Sequence, residues 1–117
     1  MKLNSDILRN IYATLVICYP FNTWKMPLPE EIKFIVDLDE TAMGTYLFDD
    51  GGEYEHIITI SAAKCGWLET CVKTMAHEMI HMSRSNTITD AWTKHDLTFR
   101  RRAHKIATEL GFDPLEL

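Results

Sequence analysis

Apolar residues recur at three- and four-residue intervals near the start of the chain, at Leu3, Ile7, Ile11, Leu15 and Cys18. This spacing predicts an amphipathic helix with Ser5 as its N-cap and Pro20 as its stop. Residues 19–31 contain three prolines, which favour an irregular, extended connection.

The period changes to two after residue 31, where every second position is apolar, at Ile32, Phe34, Val36 and Leu38. Such alternation is typical of a strand that buries one face. Residues 41–48 and 54–61 are also rich in β-forming side chains, and the Asp-Asp-Gly-Gly sequence of residues 49–52 favours a tight reversal between them. We therefore expect a three-stranded antiparallel sheet.

Helical spacing returns after Gly66 and predicts two further helices, joined by a loop over residues 85–94. The first spans residues 67–84, with an apolar stripe at Leu68, Val72, Met75 and Met79. The last begins near an N-cap at Asp96 and ends at Gly111. Its stripe consists of Phe99, Ala103, Ile106 and Leu110. The sequence thus predicts a single α+β domain over residues 1–117, with an N-terminal helix, the sheet and two later helices.

The helix predicted over residues 67–84 contains His77-Glu78-Met79-Ile80-His81, which has the form HExxH. Two histidines four residues apart project side by side from a helix, so both imidazoles can bind one zinc ion while the glutamate faces the metal's water. On a helical projection both lie nearly opposite the apolar stripe. We therefore predict His77 and His81 as Zn²⁺ ligands and Glu78 as the catalytic residue. The alternative is a pair of solvent-facing histidines on a surface helix.

A catalytic zinc site needs a third protein ligand, and the chain has three further histidines, His56, His95 and His104. On the projection of the last helix, His95 lies within about 40° of the Phe99 stripe, whereas His104 is about 140° away. His95 therefore points toward the core and is predicted as the third ligand. We interpret His104 as an exposed histidine in a basic helix. His56 alternates with apolar residues, as expected of a hydrogen-bonded core histidine or of a residue in a cleft.

Composition narrows the function classes. The 117 residues are 46% hydrophobic with a formal net charge of −5, which excludes a disordered chain and argues against a domain built mainly to bind a phosphate backbone. Cys18, Cys65 and Cys71 form no CxxC pair, which favours a reducing compartment such as the cytoplasm. No apolar run is long enough to span a bilayer, so we expect no membrane partner.

The chain has a negative net charge but contains one cluster of basic residues, formed by Arg100, Arg101, Arg102 and Lys105. The cluster is compatible with a weak contact to DNA or to an acidic partner. Three consecutive helix positions fan over most of a turn, however, and a solvated face is the more common explanation of such a run.

Several of these segments resemble the SprT-like zinc metalloprotease family. Residues 68–81, with the HExxH motif, are similar to the family's zinc helix, and residues 95–99, from His95 to Phe99, are similar to its HGxxF segment. Residues 41–46 and 57–61 are similar to the strand pair before that helix. The resemblance covers most of the chain. Asp96 and Leu97 stand where the family has Gly and Pro, and the sequence contains no Cys-rich zinc ribbon.

The resemblance implies a zincin-like fold and a zinc-dependent endopeptidase acting on protein substrates, with nucleic-acid association left open. It assigns His95 as a zinc ligand beside the HExxH histidines, and Glu78 as the acceptor of a proton from the attacking water. An extended substrate would add to a sheet edge, where Gly44 permits close approach; a bulge or turn explains that glycine as well. The alternatives are a non-catalytic, zinc-stabilised binding protein and a regulatory protease that cleaves one repressor.

Overall fold

The computed structural model describes residues 2–86 and 89–117, which form three α-helices and one three-stranded sheet, an α+β fold. The helices are α1 Ser5–Val16, α2 Leu68–Met82 and α3 Leu97–Leu110, and the strands are β1 Ile32–Asp37, β2 Gly44–Phe48 and β3 His56–Ser61. Each helix and strand expected from the sequence is present, with its ends shifted by a few residues. Within the predicted loop over residues 85–94, residues 87 and 88 lie outside the described part of the chain.

The sheet is mixed, so the expectation of an antiparallel sheet was wrong. Its strand order is β1-β3-β2, and β3 pairs in parallel with β1 and antiparallel with β2. The connection from β1 to β2 therefore crosses the end of β3, where the N–H of Ser61 donates to the carbonyl oxygen of Met43 at 2.8 Å. An alternation of apolar residues specifies which face of a strand is buried, and it specifies neither the neighbour nor its direction.

One face of the sheet carries the core and is covered by α1 and α2. The central strand β3 supplies the fully buried Ile58 and Ile60, as expected of the strand with a neighbour on each side. In β1 the side chains of Ile32 and Phe34 lie on the same face, and Tyr46 of β2 lies opposite Ile58 in the register. The packed face positions α2, the helix that contains the HExxH motif.

The first helix is capped by Asn4, whose side chain accepts a hydrogen bond from the N–H of Ile7 at 2.9 Å. Ser5, predicted as the N-cap, instead donates its hydroxyl to the carbonyl oxygen of Phe34 at 2.9 Å. Both residue types cap helices well. The hydroxyl group of Ser5 is engaged by β1, and Asn4 is the N-cap. This contact between a helix and a strand cannot be read from the local sequence.

Helices α2 and α3 pack against each other, and the two predicted ends of α3 are confirmed. Asp96 caps its start by accepting from the N–H of Phe99 at 3.1 Å, and Gly111 ends it with a φ of 83°. The following 3₁₀ turn, Pro114–Glu116, brings the chain back to α2, where Lys73 pairs with Glu116. Within the described residues, no helix has the length and apolar character needed to cross a membrane.

Gly44, at the start of β2, lies close against α2. A Cβ added there would lie 2.8 Å from Cγ2 of Thr74, and 3.1 Å from both Cδ1 of Ile60 and the carbonyl oxygen of Thr59. The close approach that requires glycine is therefore between the strand and the helix inside the protein. This explains Gly44 without a substrate, a bulge or a turn.

We expect Gly44→Ala to destabilise the protein by about 1–3 kcal/mol, because the new methyl group must displace Thr74 or shift β2. Thermal unfolding followed by circular dichroism would measure this as a melting temperature lowered by roughly 4 °C per kcal/mol. Gly66→Ala is the matched control, since nothing lies within 4 Å of its added Cβ. Equal melting temperatures for Gly44→Ala and the unchanged protein would contradict the close packing of β2 on α2.

Candidate metal centre

Three histidine rings converge where α2 passes the start of α3. The Nε2 atoms of His81 and His95 are 3.0 Å apart, and those of His95 and His77 are 3.2 Å apart. One ring nitrogen from each histidine lies within 4.8 Å of the others. Nitrogens that share one ion through bonds of about 2.0–2.1 Å lie a little more than 3 Å apart. His77, His81 and His95 are therefore close enough to bind one metal ion.

The outer nitrogens of the two HExxH histidines are held by main-chain oxygens. Nδ1 of His77 lies 2.8 Å from the main-chain oxygen of Leu117, and Nδ1 of His81 lies 2.8 Å from that of Trp92. A main-chain oxygen accepts only, so each Nδ1 carries the proton and donates it. In a neutral ring the lone pair is then on Nε2, which faces the other two histidines. Such orientation by an outer hydrogen bond is characteristic of metal-binding histidines.

Electrostatics also favour neutral imidazoles at this centre. Burial lowers the pKa of His77, and it lowers the pKa of His81 to about 4 with a further contribution from His77 itself. Metal ions bind the neutral form of imidazole. The ligand atoms are therefore available at neutral pH without loss of a proton from either ring.

His95 reaches the centre from the turn before α3, not from the helix. The helical projection placed it on the Phe99 stripe, but α3 begins at Leu97 and the projection does not apply to residue 95. Phe99, a residue of α3, nonetheless lies next to His95 and to both histidines of α2. Its ring centroid lies 5.0 Å from that of His77, 4.6 Å from that of His81 and 4.7 Å from that of His95. The apolar ring packs beside all three imidazoles, of which His81 is buried, His77 is half-buried and His95 is exposed.

An ion pair between the buried Arg84 and the partly exposed Asp96 holds the segment that carries His95. Nη1 and Nη2 of Arg84, which is 8% exposed, donate to the two carboxylate oxygens of Asp96, at 2.6 and 2.9 Å. Arg84 follows α2 and Asp96 follows His95, so this paired contact joins the two elements that supply the histidines. The Arg84 guanidinium also holds the pKa of Asp96 below its usual range.

Trp92, whose carbonyl group orients His81, is itself held by aromatic packing. Its ring centroid lies 5.5 Å from that of Tyr46 and 6.4 Å from that of Phe48. The Tyr46 hydroxyl and Nδ1 of His56 form a hydrogen bond of 2.7 Å. His56 is therefore hydrogen-bonded, but it is only half-buried and also lines a third cavity, so both interpretations apply to it in part. It is not part of the three-histidine cluster.

Glu78 lies deep in the wall of a cavity next to the metal centre. The cavity has a volume of about 670 Å³ and is bounded by α2, by residues 42–44 and by residues 115–117; His77 also lines it. Glu78 is 5% exposed, and burial raises the pKa of its carboxyl group to about 8. A buried carboxyl group with a raised pKa beside a cavity is typical of a proton acceptor or donor in catalysis.

A second cavity, of about 440 Å³, lies on the α3 side of His77. His95, Arg100 and His104 line it. The two cavities share His77, Leu115 and Leu117, so the chain segment after α3 separates them. His104 is exposed, as the sequence indicated, and the structure places it outside the three-histidine cluster.

The side chains of the three consecutive arginines, Arg100, Arg101 and Arg102, lie in different surroundings. Arg102 turns inward, where Nη1 donates to the hydroxyl of Ser83 at 2.7 Å and the guanidinium carbon lies 4.7 Å from the ring centroid of Trp24. Arg100 lines the second cavity, and Arg101 is exposed outside both cavities. The run therefore does not present three equivalent cations on one surface.

Sequence reasoning missed the residues that orient the histidines. Two of them, Trp92 and Leu117, act through main-chain oxygens, which every residue has and no motif reveals. The opposite charges of Arg84, three residues beyond His81, and Asp96, directly after His95, were the one signal in the sequence that could have indicated their contact.

Comparison of the chain with family models, with curated proteins and with solved structures found no match in any of the three.

Proposed function

We propose that the protein is a zinc-dependent endopeptidase of the SprT-like type, which hydrolyses peptide bonds of protein substrates. The observation that carries the proposal is the convergence of three Nε2 atoms beside a cavity lined by Glu78. HExxH alone recurs by chance. Here its two histidines meet His95, whose sequence context resembles the family's third ligand.

Zinc is the metal that suits this donor set best. Three neutral imidazoles with no fourth protein ligand are typical of catalytic zinc, which keeps one position open, whereas structural zinc sites have four protein ligands and are usually rich in cysteine. The cluster contains His77, His81 and His95 and no cysteine. Zinc bound there would supply Lewis acidity toward a water molecule and a peptide carbonyl group.

Glu78 supplies the proton chemistry in this proposal. Its carboxylate accepts a proton from the attacking water and gives it to the leaving amine nitrogen, so one residue acts as base and then as acid. Burial raises the pKa of its carboxyl group to about 8. A cation held by the histidines would favour the charged carboxylate and lower that pKa, so that the group would be ionised and able to accept a proton at neutral pH.

The edge position of β2 supports binding of an extended peptide substrate in this proposal. β2 is an edge strand, and residues 42–44 at its start form one wall of the cavity that contains Glu78. A peptide paired with this edge would pass in front of Glu78, and backbone pairing gives affinity with little dependence on sequence. Burial of Glu78 in a cavity also favours a peptidase over a non-catalytic binding protein, because a purely structural zinc site has no use for that carboxyl group.

Metal removal tests the proposal. We expect one zinc ion per chain by elemental analysis, hydrolysis of an unfolded protein substrate by the zinc-loaded form, and loss of at least about 99% of that activity after chelation. Restoring zinc should restore hydrolysis, and magnesium should not, because imidazole is a poor ligand for magnesium. Hydrolysis that survives complete metal removal would refute the proposal. A zinc-loaded protein that cleaves no substrate would favour the binding-protein alternative.

A further inference from the structure

The second cavity next to the metal centre differs from the first in its charge. The cavity beside Glu78 also contains Glu116 and Lys73, which pair with each other. The second cavity contains Arg100 and His104 among its lining residues, and none of its lining side chains has a carboxylate; the main-chain oxygen of Leu117 there accepts a hydrogen bond from Nδ1 of His77. The chain has a formal net charge of −5, so this concave surface beside the candidate ligands differs from the chain as a whole in the sign of its side-chain charge.

Arg100 is available to a ligand, unlike the neighbouring Arg102. Across residues 2–86 and 89–117, no carboxylate forms an ion pair with Arg100 and no hydrogen bond occupies its guanidinium group. Arg102 is occupied by Ser83 and Trp24. His104 lies four residues after Arg100, one helical turn further along the same face of α3.

We infer that the second cavity is a substrate subsite that binds an acidic side chain, with Arg100 as the specificity-determining residue; this rests on the proposed peptidase function. The cavity reaches both His77 and His95, so a side chain in it belongs to a substrate residue close to the bond that is cut. A guanidinium group binds a carboxylate through two parallel hydrogen bonds. The volume of about 440 Å³ accommodates an aspartate or glutamate side chain.

A fluorogenic peptide series tests the inference, with Glu, Gln or Lys placed in turn at each of the positions flanking the cleaved bond. At one position, we expect kcat/KM for the Glu peptide to exceed that for the Lys peptide by about tenfold at low salt, because a partly exposed ion pair contributes modestly and is replaced by repulsion. Arg100→Glu should reduce that ratio to one or below, and Arg100→Gln should give an intermediate ratio.

Arg101→Glu is the matched control, because it makes the same change in net charge at the next position of α3, outside both cavities. It should keep the Glu-to-Lys ratio of the unchanged protein. An equal change of the ratio in the two variants would refute the subsite, because the effect would then come from net charge alone. A ratio near one in the unchanged protein at every position would also refute it.

Equilibrium binding separates this inference from the peptidase proposal. Labelled Glu and Lys peptides would be titrated into the zinc-loaded Glu78→Gln variant and followed by fluorescence anisotropy. A tighter Kd for the Glu peptide that depends on Arg100 supports the subsite even where no hydrolysis is found. Oligothymidylate that binds more tightly than the Glu peptide, and weakens equally with Arg100→Glu and Arg101→Glu, would overturn it in favour of nucleic acid.

Discussion

Glu78→Gln is expected to lower kcat/KM for peptide hydrolysis by roughly a thousandfold while zinc stays bound. A positioned acid or base contributes about a hundredfold to ten-thousandfold to such reactions, and the amide of glutamine accepts no proton at neutral pH. The substitution keeps the side-chain volume. It also replaces a group whose burial raises its pKa to about 8 with one that is neutral at every pH. The histidines and their carbonyl partners are unchanged, so metal binding should be retained.

The measurement combines steady-state kinetics with elemental analysis of the same preparation. Glu69→Gln is the control, because Glu69 lies on the same helix and is 78% exposed, outside the cavity that Glu78 lines. Unimpaired hydrolysis by Glu78→Gln would remove Glu78 from the mechanism. Loss of both zinc and activity would instead assign Glu78 a role in building the site.

The sequence predicted the helices and strands well because their patterns are local. The apolar stripe of α3, the cap at Asp96 and the stop at Gly111 all act within one element, and the structure contains them. In α2, Met75 and Met79 of the predicted stripe are buried, whereas Leu68, the first residue of the helix, is 58% exposed. Two expectations were wrong, because in each case the structure depends on a contact with a residue or strand far away in the sequence. Ser5 lost the N-cap position to Asn4 because of a contact with Phe34, and the direction of β1 relative to β3 is specified by the crossing connection.

In the candidate site, too, the local patterns were predicted better than the contacts between distant parts of the chain. The spacing of His77, Glu78 and His81 is a property of one helix, so the motif could be recognised directly. His95 was placed correctly beside them, although the projection assumed a helix that begins only at Leu97. The histidine side of α2 does not face solvent: His81 is 8% exposed and Glu78 is 5% exposed, because Phe99 of α3 and the segment after α3 lie against that side.

His95→Ala is expected to weaken zinc binding by more than about a hundredfold, a larger loss than that usual for a residue outside the ligand set. The reason is geometric: Nε2 of His95 lies within 3.2 Å of Nε2 on both other histidines, so its removal leaves two ligands from one helix. Competition with a chromogenic zinc chelator measures the Kd. Because zinc that binds the folded state stabilises it, the rise in melting temperature on adding zinc should also disappear.

His104→Ala provides the comparison that makes this result specific. His104 lines the second cavity but lies outside the three-histidine cluster, so the zinc Kd should stay within about threefold of the unchanged value, as for a residue without metal contact. Zinc loss in His104→Ala with retention in His95→Ala would reverse the ligand assignment. Because the turn that carries His95 is fixed to Arg84 through Asp96, an unfolded His95→Ala variant is not expected, and a cooperative thermal transition in the zinc-free form would establish that the loss lies in the metal centre.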